Sequence, residues 1–176
     1  GYLGDQIKAH LGNNFTGRVI RYVEQVKLTG TAAALWLAQP VLAPGRFMVL
    51  NGDDLYNREE LEELLNFECA MGLAKRRPAG KNFFAFDRDP VTGNITGWHR
   101  PTDDEMTGGI LMGTNAFVLD EKIFGYQPEV IATGELGLPQ TVLYLVQDHP
   151  VQGVLMEHWL PINTPDDIKR AEEVLK

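Results

Sequence analysis

One cysteine, Cys69, stands alone in 176 residues, so no internal disulfide can form and a reducing cytoplasm is the expected setting. Basic residues are few: 16 Lys and Arg face 24 Asp and Glu, a formal net charge of -8. That balance disfavours duplex nucleic acid or an anionic membrane as a partner, since both need clustered cations. No apolar run approaches the ~20 residues of a membrane span, and nothing at the start reads as a secretory leader. His10, His99, His149 and His158 are scattered with no Cys or acid at ligand spacing, which speaks against zinc. There is no Ser, His and acid constellation to suggest a hydrolase. Lys75, Arg76 and Arg77, beside Pro78, read as a solvated strand end.

What is present is a globular composition, 44% hydrophobic and 23% charged, long enough for one domain over 1–176 with a substantial core. The pattern alternates helices and strands. A helix is expected over 5–11, stopped at Gly12, then a strand over 18–23. The loop 25–32 enters an Ala-rich helix running to about Leu42, with Thr31 as its N-cap and Gly30 allowing close approach of backbone amides to a ligand. Asn57 and Glu60 resemble a capping box for a helix over 58–65. A strand over 67–75, a hairpin of 83–87 with 95–98, an extended segment over 108–119 and a short helix near 121–124 follow. Leu138, Val142, Leu145 and Val146 have helical spacing, and Pro139 fits only the first turn. A last strand over 151–159 leads to Thr164-Pro165-Asp166-Asp167, the cap, proline and acidic first turn of a final helix.

The stretch that organises this pattern is 46–56, a short apolar run halted by Asn51-Gly52-Asp53-Asp54. Continuous apolar runs suit a strand covered on both faces in a parallel sheet. Ligands of open α/β sheets bind beyond the carboxyl ends of the strands, so Asp53 and Asp54 point at a cleft where one acid can hold a hard cation such as Mg²⁺. An ordinary turn into the helix beginning near Asn57 is the bland alternative.

Several segments together resemble a known family: Gly1-Tyr2-Leu3-Gly4-Asp5-Gln6-Ile7, Tyr22-Val23-Glu24-Gln25, Leu28-Thr29-Gly30-Thr31-Ala32, Val49-Leu50-Asn51-Gly52-Asp53, and residues 159–167. Their order is that of the sugar-1-phosphate nucleotidyltransferases, most like the glucose-1-phosphate thymidylyl- and uridylyltransferases. The resemblance implies a Rossmann-like nucleotide-diphospho-sugar transferase fold, α/β, with a mixed, mostly parallel sheet and helices on both faces. It implies transfer of a nucleotidyl group from dTTP or UTP to a hexose 1-phosphate, glucose by default, with Mg²⁺ as cofactor and pyrophosphate as the second product. By position, Asp53 resembles the Mg²⁺-binding aspartate, with Gly52 and Thr31 beside the nucleotide. Gln25 resembles the glutamine that reads a pyrimidine edge, and Gly30 the glycine packed against that base. Assembly into a homo-oligomer stays open.

Departures from the family pattern set further expectations. No Gly-x-Gly-Thr-Arg-like segment occurs, so the domain is expected to be N-terminally incomplete, with residues 47–50 short of one neighbouring strand. Trp98-His99-Arg100-Pro101 stands in place of a Glu-Lys-Pro motif, so Arg100 can replace a phosphate-binding lysine while His99 cannot replace a carboxylate. Asn82 and Asn115 stand where glycines are usual, and Pro161 where many members have a second metal-binding aspartate. The sugar side is assigned to Asn82, His99, Thr114 and Glu135. The departures favour, as an alternative, a non-catalytic domain of the same fold that binds a nucleotide or nucleotide sugar. A mannose-1-phosphate guanylyltransferase is a second alternative, opposed by Gln25.

Overall fold

A computed structural model describes residues 1–78 and 83–175. Local chemistry sets most helix ends. Gly4–Leu11 (α1) stops at Gly12, whose φ of 62° is easy only for glycine. A small hairpin of Asn14–Phe15 (β1) and Arg18–Val19 (β2) follows. The strand expected over 18–23 shrinks to this exposed pair, because neither face has a core to pack against. Thr31–Ala38 (α2) has Gly30, not Thr31, at its N-cap. It tightens into a 3-10 turn over Gln39–Val41, where Pro40 has no N–H to continue an α-helix.

Phe47–Val49 (β3) and Asp54–Leu55 (β4) precede Arg58–Leu64 (α3). Asn57 caps α3 by accepting from the Glu60 amide at 3.1 Å. The Glu60 carboxylate leaves that box and accepts from the amides of Glu157 and His158, at 2.8 and 3.2 Å. Ala70–Arg76 (β5) is followed by the hairpin of Ala85–Arg88 (β6) and Ile95–His99 (β7). A short helix that the hydrophobic pattern does not signal, Asp103–Gly108 (α4), is nucleated by a capping box of Thr102 and Glu105. Ile110–Leu119 (β8), a 3-10 turn over Glu121–Gly125, Glu129–Val130 (β9), Leu136–Gly137 (β10) and Leu138–Asp148 (α5) come next. Gln152–Leu155 (β11), Leu160–Pro161 (β12) and Pro165–Val174 (α6) complete the order.

The principal sheet has the order β11, β5, β8, β3. Only β11 and β5 are parallel; β8 runs antiparallel to both β5 and β3. The sheet is therefore mixed and mostly antiparallel, which corrects the expectation of mostly parallel strands. Arg76, ending β5, pairs with Ile110, beginning β8, so the chain leaves the sheet through the β6–β7 hairpin and returns at the same end. That return needs no crossover helix, whereas the parallel step to β11 passes through α5. The apolar runs report burial on two faces, which a central strand of either direction has. β3 pairs on one side only among the described residues, and its three residues are half-buried instead of covered on both faces.

Alternation along β5 and β8 divides the core. Met71, Leu73, Phe117 and Leu119 pack with Ala32 and Leu35 of α2 and with Leu138, Val142 and Leu145 of α5. Ala70, Ala74, Ala116 and Val118 face the other way, onto Leu64 of α3, Met156 and Trp159. Helices thus cover both faces, as expected. Leu64 has no exposed surface. Leu64→Ala should lower unfolding free energy by about 2–5 kcal/mol in urea titration, the usual range for a buried leucine whose cavity does not collapse.

Candidate functional site

Two adjoining hollows lie where α2 and α5 begin. The smaller, about 400 Å³, is lined by Gln25, Gly30, Thr31 and Asn115 on one side and by Glu135, Gly137 and Gln140 on the other. Its walls are joined through backbone and hydroxyl contacts. The Leu136 amide donates to the Thr29 carbonyl at 2.8 Å, and the Leu138 amide donates to the Thr31 hydroxyl at 3.0 Å. Thr31 therefore satisfies an orphan donor of α5, not of its own helix. Gly30 has φ 106°, and a Cβ there would lie 2.4 Å from the Leu136 carbonyl oxygen. The Gln25 amide donates to the Gly30 carbonyl at 3.1 Å, which fixes its orientation over the loop. Asn115, standing where a glycine is usual in the resembled family, holds φ 55°, a left-handed conformation that asparagine tolerates.

The larger hollow, about 610 Å³, lies against the hairpin β6–β7, β8, β9 and α5, and shares Ile131, Pro139 and Gln140 with the first. Phe84 and Trp98, both in its wall, meet edge to face with centroids 4.4 Å apart. The expected sugar-side residues fall around these hollows unevenly. Glu135 lines the smaller one. Thr114 is fully buried, with its hydroxyl directed at the Met156 sulfur at 3.2 Å, so the structure does not bring it to a cavity surface. His99 is held at both ring nitrogens, Nδ1 by Asp87 at 2.8 Å and Nε2 by Glu105 at 3.2 Å. Arg100 is exposed, with its guanidinium 6.0 Å from the centre of the Phe84 ring at the margin of the larger hollow. Asn82 lies outside the described residues.

Asp53 and Gly52 are exposed in the turn between β3 and β4 and line neither hollow. The Asp53 carbonyl accepts from the Ile162 amide at 3.1 Å, and Pro161 pairs with Asp54, so β12 runs beside the acid as the resemblance implies. Asp54 itself is engaged: its carboxylate accepts from the Trp159 indole at 3.0 Å and the Tyr56 hydroxyl at 3.1 Å. Burial, followed by the Asp54 charge, pushes the Tyr56 phenol well above its ordinary pKa. No group of three or more acidic, His or Cys side chains gathers into a metal cage among the described residues. Mg²⁺ needs no such cage where one carboxylate and a nucleotide's phosphates share its coordination, and exposed Asp53 suits that arrangement.

The motif pattern missed the aromatic hollow, although period-two alternation puts Phe84 and Phe86 on one face of β6 and its approach, opposite Trp98. It also missed the Asp87–His99–Glu105 clasp, whose members lie 12 and 6 residues apart on the β6–β7 hairpin and the start of α4 and form no short motif.

The stitch between Gly30 and Leu136 makes a sharp expectation. Gly30→Ala should cost about 1–3 kcal/mol in denaturant unfolding from backbone strain alone, with further loss from the clash. The clasp makes another. Partial burial lowers the His99 pKa, but hydrogen bonds and charges of Asp87 and Glu105 outweigh it, so the net shift is upward from 6.5. The folded protein thus holds the proton more tightly than the unfolded chain. Stabilisation is complete below the ordinary histidine pKa of about 6.5 and is lost as pH rises through the raised value. The difference in Tm between wild type and His99→Asn should shrink steadily across that window in thermal melts.

A scan of the chain against models of known protein families finds no match. Among curated proteins, the bifunctional protein GlmU of Methanococcus vannielii is 27% identical over 159 residues, which are 86% of this chain and 37% of that protein. The chain thus spans little more than a third of that relative's length. Solved structures align over almost all of it. The inositol-1-phosphate CTP transferase of T. maritima superposes with a TM-score of 0.70 at 19% identity, covering 99% of this chain and 71% of that one. HddC of Yersinia pseudotuberculosis, complexed with GMP-PN, gives 0.67 at 16% identity, covering 99% and 76%. A protein of Bacillus anthracis assigned as a glucose-1-phosphate thymidylyltransferase, in complex with sucrose, gives 0.67 at 19% identity, covering 97% and 71%. The chain shares its fold with these solved structures, among them transferases of the kind its motifs resemble.

Proposed function

We infer that this chain carries the nucleotide- and acceptor-binding surface of a sugar-phosphate nucleotidylyltransferase. The observation that carries the reading is the smaller hollow. It gathers Gln25, Gly30, Thr31, Asn115 and Glu135, drawn from separate motifs, onto one surface where α2 and α5 start. Helix starts present free N–H groups and positive dipole ends that suit phosphates. The Gln25 amide can both donate and accept, which matches thymine or uracil and makes dTTP or UTP the favoured donor. By resemblance the acceptor is a hexose 1-phosphate, glucose being the default. One of its phosphate oxygens attacks the α-phosphorus in line, the bond to the β-phosphate breaks, and pyrophosphate leaves. Such chemistry rests on positioning and on neutralising phosphate charge more than on covalent help. Asp53 is the residue that would hold Mg²⁺, which would supply charge neutralisation, and Arg100 would offer a guanidinium to the acceptor phosphate.

A second reading, a non-catalytic domain that binds a nucleotide or nucleotide sugar, has specific support. Pro161, not an acid, lies across from Asp54 and beside Asp53, and both ring nitrogens of His99 are engaged. Pyrophosphate release from dTTP, UTP and GTP with glucose 1-phosphate, measured on the full-length protein, separates the readings. Turnover should be fastest with a pyrimidine nucleotide. Asp53→Ala should lower kcat by at least about a hundredfold, the scale of losing a transition-state charge contact, with no change in Tm. Nucleotide binding without turnover would sustain the second reading, and an Asp53→Ala enzyme of unchanged rate would remove that carboxylate from the reaction.

A further inference from the structure

The larger hollow is walled mainly by aromatic and aliphatic groups, and Glu129, Gln140, Tyr144 and Gln147 are the polar side chains that join Trp98 in its lining. A hexose presents hydroxyls that must find hydrogen-bond partners when they leave water, and unmatched ones are costly. Here Phe83, Phe84, Phe86, Trp98 and Met112 supply much of the wall. Opposite them stands a charged group. Glu129, on β9, is half-buried, and its carboxylate accepts a hydrogen bond from the Tyr144 hydroxyl of α5; both side chains line the cavity. This bond raises the Tyr144 pKa, so the phenol keeps its proton and stays the donor. Aromatic faces beside a carboxylate form an environment that favours an organic cation: the ring quadrupoles attract it, the apolar walls take its alkyl surface, and the acid balances its charge.

We propose that the cavity between the β6–β7 hairpin and α5 receives an acceptor phosphate monoester whose organic body is an alkylammonium, with the ammonium set between Trp98 and Glu129. The proposal rests on the transferase reading above and replaces the default glucose ester within it. The ammonium is a recognition handle only. The ester's phosphate oxygen forms the new bond to the α-phosphorus, pyrophosphate departs with the electrons of the broken bond, and the nitrogen is unchanged. Arg100, on the rim beside Phe84, lies within reach of the phosphate end, so the two ends of the acceptor meet charges of opposite sign.

Calorimetric titration of the full-length protein with three esters tests this directly: choline phosphate, its uncharged isostere 3,3-dimethylbutyl phosphate, and glucose 1-phosphate. Choline phosphate should bind at least tenfold more tightly than either of the others. Glu129→Gln, which keeps an acceptor for Tyr144, should erase that tenfold preference while leaving affinity for the isostere unchanged. Trp98→Ala should weaken both alkyl esters. Equal or weaker binding of choline phosphate relative to its isostere, or tighter binding of glucose 1-phosphate, overturns the proposal even if the variants fold poorly, because that comparison uses the wild type. Pyrophosphate release from dTTP and UTP with the same esters keeps the two readings apart. Turnover with glucose 1-phosphate but not choline phosphate overturns the cation site and spares the transferase. Preferred binding of choline phosphate without turnover of any ester supports the cation site and sinks the transferase.

Discussion

Loop 25–31 and the start of α5 are held together at one point of backbone contact, where Gly30 passes so close to Leu136 that no side chain fits between them. Two hydrogen bonds close that contact, from the Leu136 amide to Thr29 and from the Leu138 amide to Thr31. Helix α5 is thereby started by a residue 107 positions earlier in the chain. The smaller hollow exists because these segments cannot separate, and the larger one shares three of its wall residues. Gln25, held to the Gly30 carbonyl on one side of the contact, and Glu135, on the other, line the same hollow.

The acids of the chain divide between architecture and availability. Asp54 anchors Trp159 and Tyr56, Glu60 ties α3 to the turn at Glu157 and His158, and Asp167 accepts from the amides of Asn163 and Thr164 to start α6. Asp54 thus serves side-chain donors, whereas Glu60 and Asp167 serve backbone amides of a turn and a helix start. The second oxygen of Glu60 is buried without a partner, a cost tolerated because its first oxygen accepts from several donors. Asp53, one residue from Asp54, remains exposed and uncommitted among the described residues. Asp53 sits in the turn and Asp54 opens β4, so one acid is structural while its neighbour meets solvent or ligand.

Capping was legible from the residues because it is local. Asn57 and Thr164 start the helices assigned to them, and Thr102 with Glu105 is a capping box that sequence alone could have revealed. Thr31 does not cap the helix that follows it, and nothing nearby in the sequence shows that its hydroxyl is claimed by Leu138. Strand direction was misjudged for a related reason. The apolar runs of β5 and β8 encode two covered faces, but whether neighbours run with or against each other depends on where the intervening chain returns. The hollow near Gln25 and Gly30 gathers residues of separate motifs but not Asp53, where the strand-end rule points, and the aromatic cavity beside it carries no motif.

By itself, the sequence determined the starts of α3, α4 and α6, the positions of the apolar strands, the glycine at residue 30 and the placement of an acid after β3. These depend on interactions spanning a few residues, or on a backbone angle that few side chains accept. Only the tertiary structure decided that the sheet is mostly antiparallel, that Thr114 turns inward, and that Glu129 and Tyr144 line the same cavity as Phe84 and Trp98. Those outcomes depend on which distant segments become neighbours, and contacts between distant segments are fixed by packing the whole core, not by any short run of residues.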